Sequence, residues 1–394
     1  MIQVEEALRL ILGRAVPLEP ERTPLANARG RILRTAAHAD LDSPPFDASA
    51  MDGYAARRAD LGAPLRIIGE AAAGTAFPRS VGPGECVRIL TGAPVPAGAD
   101  CVVRQEDTIR EGTNVRITNI SARPDFIRRR GENRRAGDLV VPAGAPLNAP
   151  ELAALASVGV TAPEVSRSPI CIHLVTGNEL VPPDHVPAGA QIRDSNSTLV
   201  EHLIAARGVG FAGRAHARDD LGAAQQALES LPRYDVLLIS GGSGAGDHDL
   251  ARPLLRALGY EIHFDQLNLR PGRPLVFASK DRQYAFALPG NPVSHWVTFQ
   301  LFVAPLLEKL QTGRDATLPR LTGRLAADGK LPSPDTRRTF WPCRATIVNG
   351  VHELALLPLA SSGDSSGLVG ANALLPLPAN SLDPAQPVEF IPCP

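Results

Sequence analysis

From residue 167 onwards, short apolar runs alternate with segments of helical periodicity, and this alternation constrains the fold more than any other feature. The runs PICIHLVT, VGFAGRAHA and DVLLIS predict strands, and SNSTLVEHLIAARG, LGAAQQALESLP and DLARPLLRALGY predict helices. Strands that alternate with helices of about 10–15 residues indicate a mainly parallel sheet covered by helices on both faces. Ligands of such sheets bind at the carboxyl ends of the strands, so the loops there are candidates for function.

The 394 residues are too many for one ordinary hydrophobic core. We predict a multidomain chain of α/β and β class, with a three-layer α/β domain at its centre. A second block of short apolar runs between Gly and Pro turns predicts a mostly-β domain, inserted between the two parts of an N-terminal linking domain. Pro-spaced strand fragments at the end predict a small barrel-like β domain. The predicted domains are residues 1–45 with 136–166, 46–135, 167–312 and 313–394.

Three further helices are predicted. The first, in MIQVEEALRLILGRAVPLEP, is amphipathic and has acids before its apolar positions, which is not the pattern of a signal peptide. The second covers residues 148–160, with Asn148 or Pro150 at its start and Gly159 after its end. The third is continuous over residues 292–310 and closes the α/β domain.

Composition excludes several classes of function. A formal net charge of −1 gives no general attraction to nucleic acid or anionic lipid. No apolar run reaches about 18 residues, so no membrane span is expected. The cysteines are odd in number and scattered, which argues against a disulfide framework or a zinc knuckle and favours a reducing, cytoplasmic location. They are Cys86, Cys101, Cys171, Cys343 and Cys393.

The stretch DVLLISGGSGAGDHD, residues 235–249, places a glycine-rich loop after a predicted buried strand. A Walker A loop would continue with Lys and Ser or Thr, but Asp247 and His248 follow Gly246, and the G-x-G-x-x-G pattern fails as well. Backbone amides at a helix start favour an anion. The acids Asp247 and Asp249 therefore suggest a divalent cation beside an anionic ligand. A structural turn with Asp249 as helix N-cap is the alternative.

Two more loops should meet the same edge of the sheet. In LPGNPVSHW, residues 288–296, Asn291 is a good N-cap and Pro292 suits the first helical position. In VTGNEL and QIRDSN, polar residues follow a predicted strand and precede a helix. Turn and capping chemistry explains each loop alone, but three polar strand ends in one domain favour a shared pocket. The polar residues of the last two stretches are Thr176, Asn178, Glu179, Asp194, Ser195 and Asn196.

Together these stretches resemble one family, the molybdopterin molybdenumtransferases, which insert molybdenum during molybdenum-cofactor synthesis and are related to the E domain of gephyrin. SAMDGYA, RILTGAPVPAGADCVV, RRRGENRRAGD, VTGNEL, QIRDSN, SGG with GDHD, RPGRP and LPGNPVS occur in the family's order and span most of the chain. The resemblance implies an elongated homodimer of four-domain subunits, with residues 167–312 as the molybdopterin-binding domain. The active site is expected between domains three and four, with domain two of the partner subunit nearby.

The resemblance also implies a reaction and roles for residues. Adenylylated molybdopterin and molybdate would give molybdenum cofactor and AMP, with a divalent cation such as Mg2+. Implied partners beyond the substrates are the upstream adenylyltransferase and acceptor molybdoenzymes. The catalytic candidates are Asp52, Thr91, Glu179, Asp220 (or its neighbour Asp219) and Asp249, of which Asp220 and Asp249 are the metal candidates. The substrate-binding candidates are Thr176, Gly177, Asp194, Ser195, Asn196, Ser240, Gly241, Gly242, Gly246, Arg270, Arg273, Pro289, Gly290, Asn291, Arg337 and Ser362.

Some positions depart from the family's pattern. Asn133 stands where an acid is usual, and an amide binds a cation more weakly than a carboxylate does. Arg270 and Arg273 replace lysines, and the two are not equivalent at a tight anion site. Asn133 motivates the alternative of a non-catalytic paralogue that carries molybdopterin intermediates, and a scaffold role is a third hypothesis. Molybdate and tungstate share shape and charge, so the sequence does not distinguish them.

Overall fold

The protein is represented by a computed structural model that describes residues 1–120, 125–241, 250–314, 317–326, 331–333, 335–377 and 386–393. The chain divides into two compact units. The first unit comprises Met1–Glu21, Gly30–Ile32 and Ser166–Pro394, and the second comprises Arg22–Arg29 and Leu33–Val165. The finer division into four domains stays a prediction.

The helices and strands lie largely where the periodicity of the sequence predicts them, and several short strands occur in addition. The helices are α1 (Val4–Arg14), α2 (Ala149–Ser157), α3 (Asn196–Ala206), α4 (Leu221–Glu229), α5 (Ala251–Ala257), α6 (Pro292–Thr298) and α7 (Ala304–Thr312). The strands up to residue 166 are β1 (Pro20–Arg22), β2 (Ala37–His38), β3 (Ala48–Ser49), β4 (Gly53–Ala56), β5 (Leu65–Ala71), β6 (Glu85–Ile89), β7 (Cys101–Arg104), β8 (Thr108–Glu111), β9 (Asn114–Ile117), β10 (Ile127–Arg128), β11 (Leu139–Val141) and β12 (Glu164–Ser166). The later strands are β13 (Ile170–Thr176), β14 (Leu180–Val181), β15 (Ile192–Arg193), β16 (Gly210–Ala217), β17 (Val236–Ser240), β18 (Glu261–Phe264), β19 (Leu269–Arg270), β20 (Val276–Lys280), β21 (Gln283–Leu288), β22 (Leu321–Leu325), β23 (Arg338–Val348), β24 (Val351–Leu356), β25 (Ala373–Leu377) and β26 (Val388–Pro392).

The second unit is built around a six-stranded sheet of order β7-β4-β6-β5-β9-β8, as the mostly-β prediction requires. Gly53 begins β4, and a Cβ atom there would lie 1.9 Å from the carbonyl oxygen of Val103, so only glycine fits this close strand pairing. The helix α2 starts after Asn148, whose backbone N–H donates to Glu151. It ends before Gly159, which has a φ of +73°.

The first unit contains the predicted α/β domain. Its six-stranded sheet has the order β16-β13-β17-β21-β20-β18, in which β16, β13, β17 and β21 are mutually parallel. Strand β20 pairs antiparallel with β21, and β18 pairs antiparallel with β20. Side chains of β17 alternate between faces: Val236 and Leu238 join the core under α1, α3, α6 and α7, whereas Leu237 and Ile239 join the core under α4 and α5. This two-sided packing confirms the three-layer prediction.

The helix predicted to be continuous over residues 292–310 is interrupted. A π-helical turn, Phe299–Val303, separates α6 from α7. Pro305 lacks a backbone N–H, and its ring would clash with the carbonyl group of Leu301 in a regular α-helix, so a wider turn accommodates it. No helix in the described ranges is both long enough and apolar enough to cross a bilayer.

The C-terminal sheet closes on itself. Pairing runs from β23 through β24, β22, β26 and β25, and β25 pairs again with β23, which confirms the barrel-like prediction. Cys343, Leu354 and Phe390 are buried in its interior. The short strand β19 adds to β23 in parallel, with Leu269 opposite Arg338 and Arg270 opposite Thr339. Arg270, which the sequence assigns to the α/β domain, is therefore a strand residue of this second sheet.

Candidate functional site

The strands β13 and β17 are neighbours, and their carboxyl ends bring Thr176 close to Ser240 and Gly241. Gly241 has a φ of +92°, and a Cβ atom at this position would lie 2.2 Å from the carbonyl oxygen of Thr176. The chain can leave β17 on this path only with glycine. The Thr176 hydroxyl is buried and has no hydrogen-bond partner among the described residues. The structure thus brings these three predicted residues together.

A second group of predicted residues lies where β13 and β16 end. The backbone N–H of Asn178 donates to Asp219 at 3.2 Å, and the carbonyl oxygen of Gly177 contacts the ring of His216. Asp220 accepts a hydrogen bond from the N–H of Ala223 at 2.8 Å and so caps α4. The carboxylates of Glu179, Asp219 and Asp220 belong to exposed residues. Asp220 therefore has a local structural role in addition to its predicted one.

Mg2+ prefers oxygen ligands such as carboxylates, so the acids at this edge of the sheet are of the chemical type that the implied cation requires. The described residues alone form no group of three or more His, Cys, Asp or Glu side chains that could hold a metal ion. Asp249, with Asp247, His248, Gly242 and Gly246, lies outside the described residues. The metal role of Asp220 and Asp249 stays a prediction.

The start of α3 contacts the loop after β21. Asp194 accepts a hydrogen bond from the N–H of Ser197 at 3.0 Å, so the side chain that caps this helix start is Asp194, whereas Ser195 is exposed and makes no cap bond. The amide of Asn196 donates to the carbonyl oxygen of Gly290 at 2.7 Å. The amide oxygen of Asn196 is buried and has no partner within the described ranges. Asn196 and Gly290 are thus brought together.

A buried chain of polar side chains links the end of β17 to the loop after β21. The Ser240 hydroxyl lies 2.6 Å from Nε2 of His173 and 3.5 Å from Nε2 of His295. Nδ1 of His295 lies 3.1 Å from the carbonyl oxygen of Pro289. A carbonyl oxygen only accepts, so Nδ1 of His295 carries the proton and Nε2 is an acceptor.

Both imidazoles are uncharged. Burial lowers the pKa of His295 to about 4, and burial together with His295 lowers the pKa of His173 well below its ordinary value. These two histidines were not predicted from the sequence. The available signal was a histidine inside the apolar strand ICIHLVT and another in the apolar helix PVSHWVT.

A cavity of about 700 Å3 lies between the α/β domain and the C-terminal barrel, within the first unit. Its walls come from the stretches 270–274 and 357–362 and from Asn291, Val293, Ser294, Pro332, Ser333, Arg337 and Trp341. Asn291 does not cap α6 with its side chain but donates to the hydroxyl of Ser362 at 2.7 Å, and the N–H of Val293 donates to the carbonyl oxygen of Ser362 at 3.1 Å. Asn291 and Ser362, far apart in sequence, are thus fixed to each other.

Three arginines, Arg270, Arg273 and Arg337, line this cavity, which we call the arginine cavity. Asp335 holds two of them. Its carboxylate accepts hydrogen bonds from Nε and Nη2 of Arg337 at 2.9 and 2.7 Å, and Nη1 of Arg270 lies 3.5 Å away. The hydrogen bonds from Arg337 keep the pKa of Asp335 far below its ordinary range. The charge of these groups is net positive, which suits an anion. Asp335 was not predicted from the sequence, because no motif contains it.

The remaining catalytic candidates belong to the second unit. One carboxylate oxygen of Asp52 accepts hydrogen bonds from both the N–H and the hydroxyl of Thr91, each at 2.7 Å. These bonds lower the pKa of Asp52, so its carboxyl group is ionised at neutral pH. The residue is also exposed. Asn133 is also exposed, and its N–H donates to the carbonyl oxygen of Ser43 at 2.9 Å.

Two family models match the two parts of the chain. A family model described as a probable molybdopterin binding domain matches residues 172–309, and one described as the MoeA N-terminal region, domains I and II, matches residues 2–159. The chain is therefore of the class that carries a molybdopterin-binding domain.

Whole-chain comparisons narrow this class. The chain is 33% identical over 372 residues to the molybdopterin molybdenumtransferase of a Nostoc species, covering 91% of this chain and 85% of that one. It is 29% identical over 388 residues to the enzyme of the same name from Staphylococcus aureus (strain Mu50), covering 96% and 92%. The solved molybdopterin biosynthesis MoeA protein from Pyrococcus horikosii matches with a TM-score of 0.82 and 29% identity over 100% of this chain and 99% of that one. The chain belongs to the molybdopterin molybdenumtransferase family.

Proposed function

We propose that the protein transfers molybdenum from molybdate to adenylylated molybdopterin, yielding molybdenum cofactor and AMP. Family membership supports the reaction, and one observation in the first unit carries the proposal: a cavity with three arginines beside the strand ends of the molybdopterin-binding domain. Its volume of about 700 Å3 lies in the range of small-molecule sites. Molybdate, a tetrahedral dianion, would be bound there by charge-assisted hydrogen bonds from Arg270 and Arg337 and by the hydroxyl of Ser362.

The phosphate and pterin parts of the substrate would bind along the strand ends. Backbone amides at Gly241 and Gly290 are the type of donor that phosphate oxygens accept from. Two buried polar atoms at this edge, the Thr176 hydroxyl and the Asn196 amide oxygen, are unpaired among the described residues. Unpaired buried polar groups are destabilising, and a polar ligand would satisfy them. Thr176, Gly177, Asp194, Ser195 and Asn196 remain the proposed contacts.

The acids would act on the pyrophosphate bond whose cleavage releases AMP. Bound Mg2+ would neutralise charge on the phosphates. Asp220, or its neighbour Asp219, and Asp249 are the proposed residues that hold it, and Glu179 is a further catalytic candidate. Asp52, kept ionised by Thr91, is proposed to act on the substrate bound by the partner subunit of a homodimer. A cytoplasmic location, an upstream adenylyltransferase that supplies the substrate and acceptor molybdoenzymes complete the proposal.

The proposal is tested with purified protein, adenylylated molybdopterin, Mg2+ and molybdate. We expect molybdate-dependent AMP release, at least about a hundredfold slower in Arg337→Gln, because a charge-assisted anchor of the dianion is lost. The matched control is Arg320→Gln: Arg320 pairs with exposed Glu389 and does not line the cavity, so this variant should keep full activity. Turnover by the wild type would also show that Asn133 suffices in place of an acid. Bound substrate with no AMP release would overturn the proposal.

A further inference from the structure

An aspartate that pairs with two of the cavity's arginines, Arg270 and Arg337, is unexpected at a site that binds an anion. Asp335 forms a bidentate pair with Nε and Nη2 of Arg337, and its Oδ1 also accepts from the backbone N–H of Arg337 at 2.8 Å. The Nε–Nη2 edge of a guanidinium group is one of the edges that tetrahedral oxyanions bind with two parallel hydrogen bonds. In Arg337 this edge is taken by an internal carboxylate.

The same carboxylate faces the second arginine of the wall. Nη1 of Arg270 lies 3.5 Å from Oδ2 of Asp335 and donates to the carbonyl oxygen of Ser333 at 2.8 Å. Asp335 is anionic at every working pH, because hydrogen bonds from Arg337 hold its pKa far below the ordinary range. The two guanidinium groups and the carboxylate therefore carry one net positive charge in total. An incoming oxyanion meets both the attraction of the arginines and the repulsion of Asp335.

We propose that Asp335 is a specificity-determining residue of the arginine cavity: an internal counter-anion that competes with a bound oxyanion for Arg337 and Arg270 and sets the affinity of the site according to the charge of the ion. This inference rests on the proposed function, since it assumes that the arginine cavity is the oxyanion site. Coulomb repulsion is proportional to the charge of the ligand, so Asp335 weakens the binding of a dianion about twice as much, in free energy, as the binding of a monoanion of the same shape.

Molybdate and perrhenate provide the test, because both are tetrahedral and they differ in charge, two negative charges against one. Titration calorimetry of the full-length protein gives a dissociation constant for each ion. In Asp335→Asn, we expect molybdate to bind about tenfold more tightly than in the wild type and perrhenate only about threefold more tightly, which corresponds to half the free-energy change. The unequal gain is the signature of a removed charge.

Asp335→Ser is a second variant, in case the amide of Asp335→Asn makes new hydrogen bonds or impairs folding. Glu389→Gln is the matched control, because it removes a carboxylate paired with an arginine of the same barrel but away from the cavity, and it should leave both constants unchanged. A role of Asp335 in merely holding Arg337 in place predicts weaker binding of both ions in both variants, and that result would overturn the inference. Equal gains for the two ions would do the same.

A different set of results would reject the proposed function itself. If the wild type and both Asp335 variants bind neither ion, or if Arg337→Gln leaves molybdate binding intact, the arginine cavity is not the oxyanion site, and the proposed function and this inference fall together. Binding by the wild type that is lost in Arg337→Gln but unchanged in the Asp335 variants rejects only the role of Asp335.

Discussion

The two sides of the candidate site in the first unit are built from opposite kinds of group. At the sheet edge, formed by the ends of β13, β17 and β21, the groups that fix the loops are uncharged and buried: Ser240 between His173 and His295. In the arginine cavity, the fixing groups are half-buried ions, Asp335 and Arg337. Neutral groups position a backbone without attracting ions, whereas ion pairs leave further donors that a ligand can use. The sheet edge is therefore shaped by neutral, buried contacts, and the cavity by charge.

The largest effect is expected at the sheet edge, from Gly241→Ala. The added Cβ atom would lie 2.2 Å from the carbonyl oxygen of Thr176, and neither backbone can move without disturbing β13 or β17. We expect a loss of about 3 kcal/mol or more in the free energy of unfolding, measured by urea denaturation, together with loss of activity.

Gly208→Ala is the control for that variant, because Gly208 has a similar positive φ of +64° but open space around it. It should cost only about 1 kcal/mol, the strain of a left-handed backbone conformation. Equal losses in the two variants would mean that strain, and not the contact with Thr176, makes glycine necessary at position 241.

A decrease in pH is expected to have an intermediate effect on the free energy of unfolding. Because burial lowers the pKa of His295 from 6.5 to about 4, the unfolded chain binds a proton in this interval that the folded chain does not. This contribution is fully present above pH 6.5 and is lost as pH falls towards 4, by roughly 2–3 kcal/mol in the free energy of unfolding. Asp335, whose pKa is lowered from 3.8, adds no loss above pH 4.

Urea denaturation at several pH values checks this expectation. His295→Gln should reduce the dependence of stability on pH in the interval, because the titrating ring is removed. The exposed His202 serves as control, and His202→Gln should leave the dependence unchanged. If the wild type is equally stable at pH 6.5 and at about pH 4.5, the neutral, buried character of the sheet edge is refuted.

The smallest effect is expected where the two sides meet, from Asn291→Ala. The variant loses one exposed hydrogen bond, the 2.7 Å contact with Ser362, so we expect about 1 kcal/mol or less in stability. Molybdate affinity should fall by no more than about threefold, since the arginines remain in place. A larger loss of affinity than in Arg337→Gln would mean that the loop around Ser362, and not charge, determines binding in the cavity.

Much of the fold could be predicted from the sequence because periodicity and turn residues act locally. The alternating side chains of β17 and the capping of α2 by its own neighbours are examples. The π-helical turn was missed although Pro305 signals it, because the apolar pattern continues through it unbroken. The pairing of β19 with the barrel was missed because a strand of two residues carries no periodicity.

The candidate site was predictable only where a motif carries it. The loops at Thr176, Gly241 and Asn291 were found from strand ends and glycines, and the geometry joins Thr176 to Gly241 and Asn291 to Ser362. The partners of Ser240 are 67 and 55 residues away in sequence, and no local pattern links them. Asp335 and Arg270 are 65 residues apart in sequence, so no local pattern predicts their contact either. Contacts of this kind depend on the fold as a whole.

The short strand β19 ties Arg270 to the barrel through backbone hydrogen bonds. Backbone pairing sets Leu269 opposite Arg338 and Arg270 opposite Thr339, so the ladder fixes the Cα position of Arg270 relative to β23. Every residue except proline carries these backbone groups, so the side chain at position 270 can be exchanged for another while its Cα atom keeps its place beside the barrel.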